Sequence, residues 1–329
     1  MPDQGPPGTD RVGRHGGLGL DPRAPLVTIG MPTFNGAQFL AQSLDSLLNQ
    51  DYPNIELVIS DNCSTDETES IARSYAAAHP QIRYERSPVN RGSAANFTRV
   101  LELATGPYFV FAADHDLWHP SFLSLCVARL EANPGSVLAH PRTTLTDMDG
   151  RPLGLMDDQI GLGDRSALAR YKRLIWDLEA GNMVYGVGRL DAFRRAGGFA
   201  DVFGPDLLML ARLVLQGPVE NLEEPHYFRR QNRAQETSEQ ERLRILVDLN
   251  PQAAPERKPA PYAELMRGLR DAHLRVVMHT KLLSPVERLE AAVATLACYR
   301  ERFGVRSKVL KALVLARRVP PVKSWARRP

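Results

Sequence analysis

The feature that most constrains this chain is a rhythm: short apolar runs alternate with stretches of helical periodicity, and each run stops on a polar cluster. Val27-Thr28-Ile29-Gly30-Met31 reads as a buried strand, broken by Pro32-Thr33-Phe34-Asn35-Gly36. Leu40, Leu44, Leu47 and Leu48 follow at helical spacing. Ile55–Ile59 is a second strand ending on Ser60-Asp61-Asn62, and Ser64 with Glu67 has the pattern of a capping box for a helix running to about Ala78. A weaker strand near Ile82–Glu85 leads to Asn90-Arg91-Gly92 and a helix near Ala94–Leu103; Pro107–Ala112 is a fourth strand, with Asp114-His115-Asp116 just past it. Such alternation predicts a mostly parallel α/β sheet with helices on both faces.

Ligands of such sheets gather outside the C-terminal ends of the strands. The polar residues fall there: Thr33 and Asn35, Asp61 and Asn62, Asn90 and Arg91, Asp114 and Asp116. That placement points to a nucleotide-type pocket. On an extended backbone Asp114 and Asp116 would point to one side, with Cα atoms about 6.5 Å apart. Their hard oxygens suit Mg²⁺ or Mn²⁺ shared with a phosphate-bearing ligand. An Asp-x-Asp triplet alone is a weak signal; its position at a strand end gives it weight. His115, between the two acids, and Asp157-Asp158 further on read as solvent-facing, and Trp118 as packing.

Beyond Val137 the pattern loosens. A helix around Ser166–Leu178 precedes Gly181–Gly186, which reads as strand or loop; a short helix ends at Gly197-Gly198, and a further helix runs from Asp206 to Gln216. Pro251–Pro261 is a proline-rich linker. Two long helices follow it, near Tyr262–Leu283 and from Ser284, where Ser284, Pro285 and Glu287 supply cap, first turn and box partner. Residues 1–24, rich in Gly, Pro, Asp and Arg, read as a disordered leader.

The charge balance, 41 basic against 38 acidic residues, excludes a dedicated nucleic-acid binder. It hides a split, because residues 305–329 hold basic residues and no acidic ones. There Val305, Val309, Leu310, Leu313 and Val314 form an apolar stripe flanked by lysine and arginine, fit either to dock on the protein itself or to lie on an anionic membrane. Three widely spaced cysteines make no disulfide framework and fit a reducing compartment. No apolar run is long enough to span a bilayer, and no secretory signal is evident, so a cytoplasmic location, peripheral to the inner membrane face at most, is expected.

Together, Pro32-Thr33-Phe34-Asn35, Ser60–Asp66, Asn90-Arg91-Gly92, Asp114-His115-Asp116 and Gly197-Gly198-Phe199 with Asp206 seven residues beyond resemble the family 2 glycosyltransferases, inverting enzymes with the GT-A fold, over about three-fifths of the chain. The resemblance implies a nucleotide-sugar-binding half at 25–135, an acceptor-binding half at 136–250 and a helical extension at 262–329. Pro32, Thr33, Asn35, Asp61, Arg91, Asp114 and His115 would line the nucleotide, with Asp61 on a uracil-like N–H. Asp116, with Asp114, would hold Mn²⁺ or Mg²⁺, and Asp206 would be the general base. Asp206 also fits a helix N-cap, and the roles are compatible. Two departures stand out. Pro205 replaces the polar residue usual before the base, and the family's histidine after Tyr-Arg-x or Arg-Arg-x is absent from Tyr227-Phe228-Arg229-Arg230-Gln231. Arg229 or Arg230 would grip the diphosphate in its place, or form a merely solvated pair.

The implied reaction moves a sugar from a nucleoside diphosphate, UDP being commonest in the family, to a hydroxyl on a carbohydrate, a lipid-linked glycan or a small natural product. A homo-oligomer is compatible with the sequence. An inactive nucleotide-sugar-binding or scaffold protein on the same fold is the alternative. A dinucleotide oxidoreductase is excluded by the lack of a GxGxxG turn after the first strand, and a processive synthase by the lack of membrane helices and a Gln-x-x-Arg-Trp motif.

Overall fold

The computed structural model describes residues 24–178, 181–231, 245, 247–251 and 261–307. The leader before Ala24, most of the proline-rich linker and the basic stripe beyond Ser307 lie outside the described residues.

Strands β1 (Val27–Thr33), β2 (Ile55–Asp61), β3 (Ile82–Arg86) and β4 (Tyr108–Phe111) pair in parallel in the order β3-β2-β1-β4. Helices α1 (Ala37–Leu48), α2 (Thr68–Ala78) and α3 (Ser93–Leu103) connect them. Side chains of β4 alternate between faces as strand geometry requires. Phe109 and Phe111 enter the core under α3, while Tyr108 and Val110 enter the core under α1. Gly30 lets α3 come close, since a Cβ there would stand 2.9 Å from Val100 and 2.8 Å from Phe109.

The second half joins the same sheet. After β5 (Leu117–Trp118) and α4 (Phe122–Ala132) come β6 (Leu138–Thr146), β7 (Pro152–Leu155), α5 (Ala167–Asp177), a 3-10 turn (Gly181–Tyr185), β8 (Val187–Arg189), α6 (Leu190–Ala196), α7 (Pro205–Gln216) and β9 (Val219–Arg230). β8 lies antiparallel between β4 and β6, β9 runs parallel to β6, and β5 closes the far edge antiparallel to β9. The sheet is therefore mixed: the first four strands are all parallel, and the second half combines the parallel β6–β9 pair with antiparallel neighbours. β6 and β9 escaped the sequence reading because prolines and charges interrupt them: Pro141 and Arg142 in one, Pro225 and a run of glutamates in the other. The pairing register shifts at Pro141, Arg142 and Thr143 to absorb the irregularity.

Helices α8 (Tyr262–His279) and α9 (Pro285–Phe303) form the C-terminal extension. Ala291, Ala294 and Cys298 of α9 share a core with α5 and α7. The capping box expected at Ser284 is present, with Ser284 Oγ accepting from Glu287 N and Glu287 Oε2 accepting from Ser284 N. The one expected at Ser64 is absent. α2 begins at Thr68, Asp66 accepts from Thr68 N, and Ser64 Oγ instead accepts from Asn35 N at 2.9 Å. Among the described residues no helix is long and apolar enough to cross a membrane.

Candidate active site

The loops at the C-terminal ends of β1 and β2 are tied together. Register sets Thr33 beside Asp61, and Asn62 N donates to Thr33 O at 2.9 Å. Asn35 has φ 53°, a conformation Asn tolerates better than most residues, and its side chain accepts from Thr65 N at 2.8 Å. Gly36 N donates to Thr68 Oγ1 at 2.9 Å. Pro32 is buried in β1, whereas Phe34 and Asn35 are exposed. Phe34, 45% exposed, is a large aromatic side chain left in water at the mouth of the site, which the reading of strand-end polar residues passed over.

Asp61 is fully buried. Its carboxylate accepts from Ser64 N at 2.8 Å and Tyr84 Oη at 2.7 Å, and meets Arg86 Nε at 3.3 Å. Asp61 is thus held by the protein's own donors. Asn62, beside it at the end of β2, is also buried and bridges to Asn90 at 2.7 Å and to Arg91 N at 2.9 Å. The Arg91 side chain lines a cavity of about 690 Å³ with Ser60, Asn62, Arg86 and Asn96; Asp114, Asp116 and Asp206 do not line it.

Asp114 and Asp116 flank a turn rather than lying on an extended segment, and both carboxylates reach the His115 ring, Asp114 at 2.9 Å and Asp116 at 3.8 Å. Asp114 Oδ2 accepts from Thr33 Oγ1 at 2.5 Å, and Oδ1 meets His115 Nδ1 at 2.9 Å. The Asp114 side chain keeps 15% of its surface exposed. Asp116 turns inward, where Oδ1 accepts from Arg230 N at 2.8 Å and Oδ2 from the Tyr227 hydroxyl. Burial raises its pKa, outweighing the His115 charge and the Tyr227 and Arg230 hydrogen bonds. His115 is partly exposed but bonded to Asp114, not simply facing solvent. Burial disfavours its charged ring, yet the Asp114 hydrogen bond and both carboxylate charges prevail and raise its pKa. Trp118 packs on Tyr227 at 5.9 Å between centroids, as expected.

Asp206 is the second residue of α7, not its cap. Gly204 holds the capping position at φ 76°, a left-handed conformation suited to glycine, and Pro205 takes the first helical position, where its missing N–H leaves no donor unpaired. Pro205 is thus explained by the helix start. The Asp206 carboxylate lies against Gly181, where a Cβ would come within 1.8 Å of Oδ2. Burial raises its pKa, only partly countered by backbone N–H groups of the first turn and by the charge of Arg229.

Arg229 links the two ends of the site. Its charge acts on Asp116, His115 and Asp206, and the Tyr185 hydroxyl feels Asp116, Asp206, Arg229 and Asp114 together. Arg230 is a different object and no solvated partner of Arg229. It is buried, donates through Nη1 to His115 O at 2.8 Å and through Nη2 to Gln42, and lies over the Phe39 ring at 4.6 Å. Asp158, expected in a solvated turn, is buried against His140 at 3.2 Å; its neighbour Asp157 is exposed. Tyr185, Asn182 and His140 had no signal in a single sequence, because the turn and strand carrying them have no regular polar pattern.

In sequence, the family described as Glycosyl transferase family 2 matches residues 28–196, just over half of the chain. Two proteins named as glycosyltransferases align with it: WcaA of Escherichia coli K12, 36% identical over 104 residues, and EpsE of Bacillus subtilis, 38% identical over 108. Each alignment covers 32% of this chain and, respectively, 37% and 39% of the relative's own length. Among solved structures, S. aureus TarS 1-349 superposes with a TM-score of 0.59 at 17% identity, covering 89% of this chain and 76% of that one. Its complex with UDP-GlcNAc superposes with a TM-score of 0.61 at 15% identity, covering 92% and 81%. With the GT-A architecture in the structure and the family's sequence pattern across β1 to α6, this chain belongs to glycosyltransferase family 2.

Proposed function

We propose that this protein transfers a sugar from a nucleoside diphosphate donor, UDP first among the candidates, to an acceptor hydroxyl in one in-line displacement that inverts the anomeric carbon. The observation that carries this reading is a short path across the site: Arg229 donates to Asn182, which follows the Gly181 on which the Asp206 carboxylate rests, and the next residue, Arg230, donates its backbone N–H to Asp116. Asp116, from the first half of the chain, and Asp206, from the second, are thus joined through β9 and the Gly181 turn.

Asp206 takes the proton of the acceptor hydroxyl as that oxygen attacks. Burial makes its carboxylate a stronger base than an exposed aspartate, and the backbone N–H groups at the α7 N-terminus partly counter that rise. A positioned base is worth about 10²–10⁴-fold. Arg229 supplies positive charge for the departing diphosphate, in the role the family gives to the absent histidine. Thr33, Asn35, Asp61 and Arg91, with Pro32 and His115, shape the nucleotide side, and exposed Phe34 offers a face for the base.

Asp114 and Asp116 fit a divalent cation. They bring hard oxygens, and each carboxylate uses two of about four acceptor positions internally, Asp114 on Thr33 and His115, Asp116 on Tyr227 and Arg230. Two carboxylates suffice for Mg²⁺ or Mn²⁺ that takes its remaining ligands from phosphate and water. Such an ion, when bound, neutralises charge on the leaving diphosphate. A UDP donor is supported by the likeness in fold to TarS, whose structure holds UDP-GlcNAc. A carbohydrate acceptor is in keeping with WcaA, named for colanic acid biosynthesis.

The test is Asp206→Asn. It should abolish release of nucleoside diphosphate from the donor while calorimetry shows donor binding retained. Turnover near that of the unmodified protein would remove the base assignment, and a protein that releases none from any nucleotide sugar with Mn²⁺ present would favour the inactive-scaffold alternative. The donor is chosen by a thermal-shift panel of nucleotide sugars with and without Mn²⁺.

A further inference from the structure

Three buried polar residues outside the proposed reaction form a chain that ends on Arg229. Arg229 Nη1 donates to Asn182 Oδ1 at 2.8 Å. Asn182 Nδ2 donates to Met156 Sδ at 2.8 Å and also faces Asp158 Oδ2 at 3.5 Å, a long contact, while His140 Nε2 meets the same carboxylate at 3.2 Å. Thr143 N points at Asp158 Oδ1 at 3.4 Å. His140, Asp158 and Asn182 are 0%, 3% and 2% exposed, so none of them can trade these partners for bulk water.

The chemistry of the groups fixes the direction of the chain. An ionised carboxylate only accepts and a guanidinium only donates. An amide between them must turn its nitrogen to Asp158 and its oxygen to Arg229. His140 must likewise present Nε2–H to the carboxylate, while its Nδ1 is buried without a hydrogen-bond partner among the described residues. Burial pushes the Asp158 pKa up, but the His140 hydrogen bond and charge and the Thr143 hydrogen bonds bring it below the usual carboxylate range. The anion that orients the amide is therefore the stable form. Buried polar groups are costly unless satisfied, and this cluster does little for the apolar core around it. The chain ends on Arg229, which among the described residues forms no ion pair and donates from its five-donor fork to Asn182. Asn182 also follows Gly181, the residue against which the Asp206 carboxylate rests. One turn thus sets both the base and the cation.

We infer that His140, Asp158 and Asn182 are positioning residues that hold the Arg229 guanidinium in register with Asp206 for stabilising the leaving diphosphate. The inference rests on the reaction proposed above. It assigns work to three residues that touch neither donor nor acceptor. Misplacing a charged group by about 1 Å can cost on the order of 10²-fold in rate.

The test uses Asn182→Ala and Asp158→Asn in the full chain, each made alone and in an Arg229→Ala background. In the unmodified background each should lower kcat for nucleoside diphosphate release by about 10–10²-fold, with donor KM changed by less than about threefold. In the Arg229→Ala background each should lower kcat by less than about twofold, since a residue acting through Arg229 has nothing left to position. Equal losses in both backgrounds would overturn the inference. A second reading does not depend on turnover: the ¹⁵N Nε–H resonance of Arg229, identified by its loss in Arg229→Ala, should move or broaden in Asn182→Ala. An unchanged resonance also overturns it. If Asp158→Asn does not fold, Asn182→Ala decides alone. If the unmodified protein turns over no nucleotide sugar, the proposed reaction fails, while the resonance still reports whether Arg229 is held.

Discussion

Replacing Gly181 by alanine tests the site at its tightest point. A Cβ there would sit 1.8 Å from Asp206 Oδ2, 2.5 Å from its Cγ and 2.9 Å from its Cβ, whereas real contacts do not fall below 3.0 Å. The whole Asp206 side chain must rotate away, moving the carboxylate oxygen by about 1.2 Å or more, and a displacement of that size costs about 10²-fold in rate. Stability should suffer far less. Gly181 has no left-handed backbone to lose, alanine is the better residue in a helical turn, and one off-rotamer aspartate costs on the order of 1 kcal/mol. For a chain of this size that lowers Tm by roughly 2–4 °C. The assay is nucleoside diphosphate release from the preferred donor, run beside thermal denaturation, with Gly163→Ala as control because no atom stands within 4 Å of a Cβ there. A Gly181→Ala protein with kcat within about threefold of the unmodified one would refute the argument that the carboxylate's position governs the rate.

Other outcomes follow from the same structure. Gly36→Ala would bring a Cβ to 2.3 Å from Asp114 Oδ2 and 2.7 Å from Thr33 Oγ1. It should weaken the stabilisation by Mn²⁺ with donor, raising the apparent metal Kd about tenfold or more in a thermal-shift titration; an unchanged titration would take Asp114 out of the metal set. His273, buried between α8 and α5 and hydrogen-bonded to Tyr171 Oη at 3.3 Å, has its pKa lowered to about 3 by burial and then by the Arg212 charge. The native ring is therefore neutral. Below the unfolded value near 6.5 the unfolded chain binds the extra proton, so this site loses stability as pH falls, by about 1.4 kcal/mol per unit down to about pH 3 and about 2 kcal/mol by pH 5. Urea denaturation between pH 7 and 5 should show a slope shallower by one proton in His273→Gln; identical slopes would mean that His273 gains its proton without unfolding.

The periodicity of the first hundred or so residues made the parallel half of the sheet legible, because β1, β2 and β4 are apolar runs buried on both faces and each stops on the polar residues that a C-terminal strand end presents. The second half was less so. β6 and β9 carry prolines, threonines and charges whose burial depends on strand partners far away in sequence, and no local pattern signals them. Within the site, the sequence singled out Asp114, Asp116, Asp206 and Arg229, but it set Asp114 and Asp116 on one side of an extended segment. The turn sends Asp116 inward to Tyr227 and leaves Asp114 half-buried against Thr33 and His115. Asp158 shows the same limit. Beside Asp157 in the sequence it resembles any acidic turn, and only its packing against His140 and Asn182 makes it part of the site.

What the sequence alone determined is the order of the elements and the residue types at their ends, since strand and helix periodicity and turn chemistry act over a few neighbours at a time. What tertiary structure alone decided is which ends meet. Asp206 lies against Gly181, and Arg229 comes within reach of both Asp116 and Asp206, because β9 pairs with β6 while the turn at Gly181 packs beneath α7. Contacts over such separations are selected by the fit of whole surfaces, which no stretch of local sequence encodes.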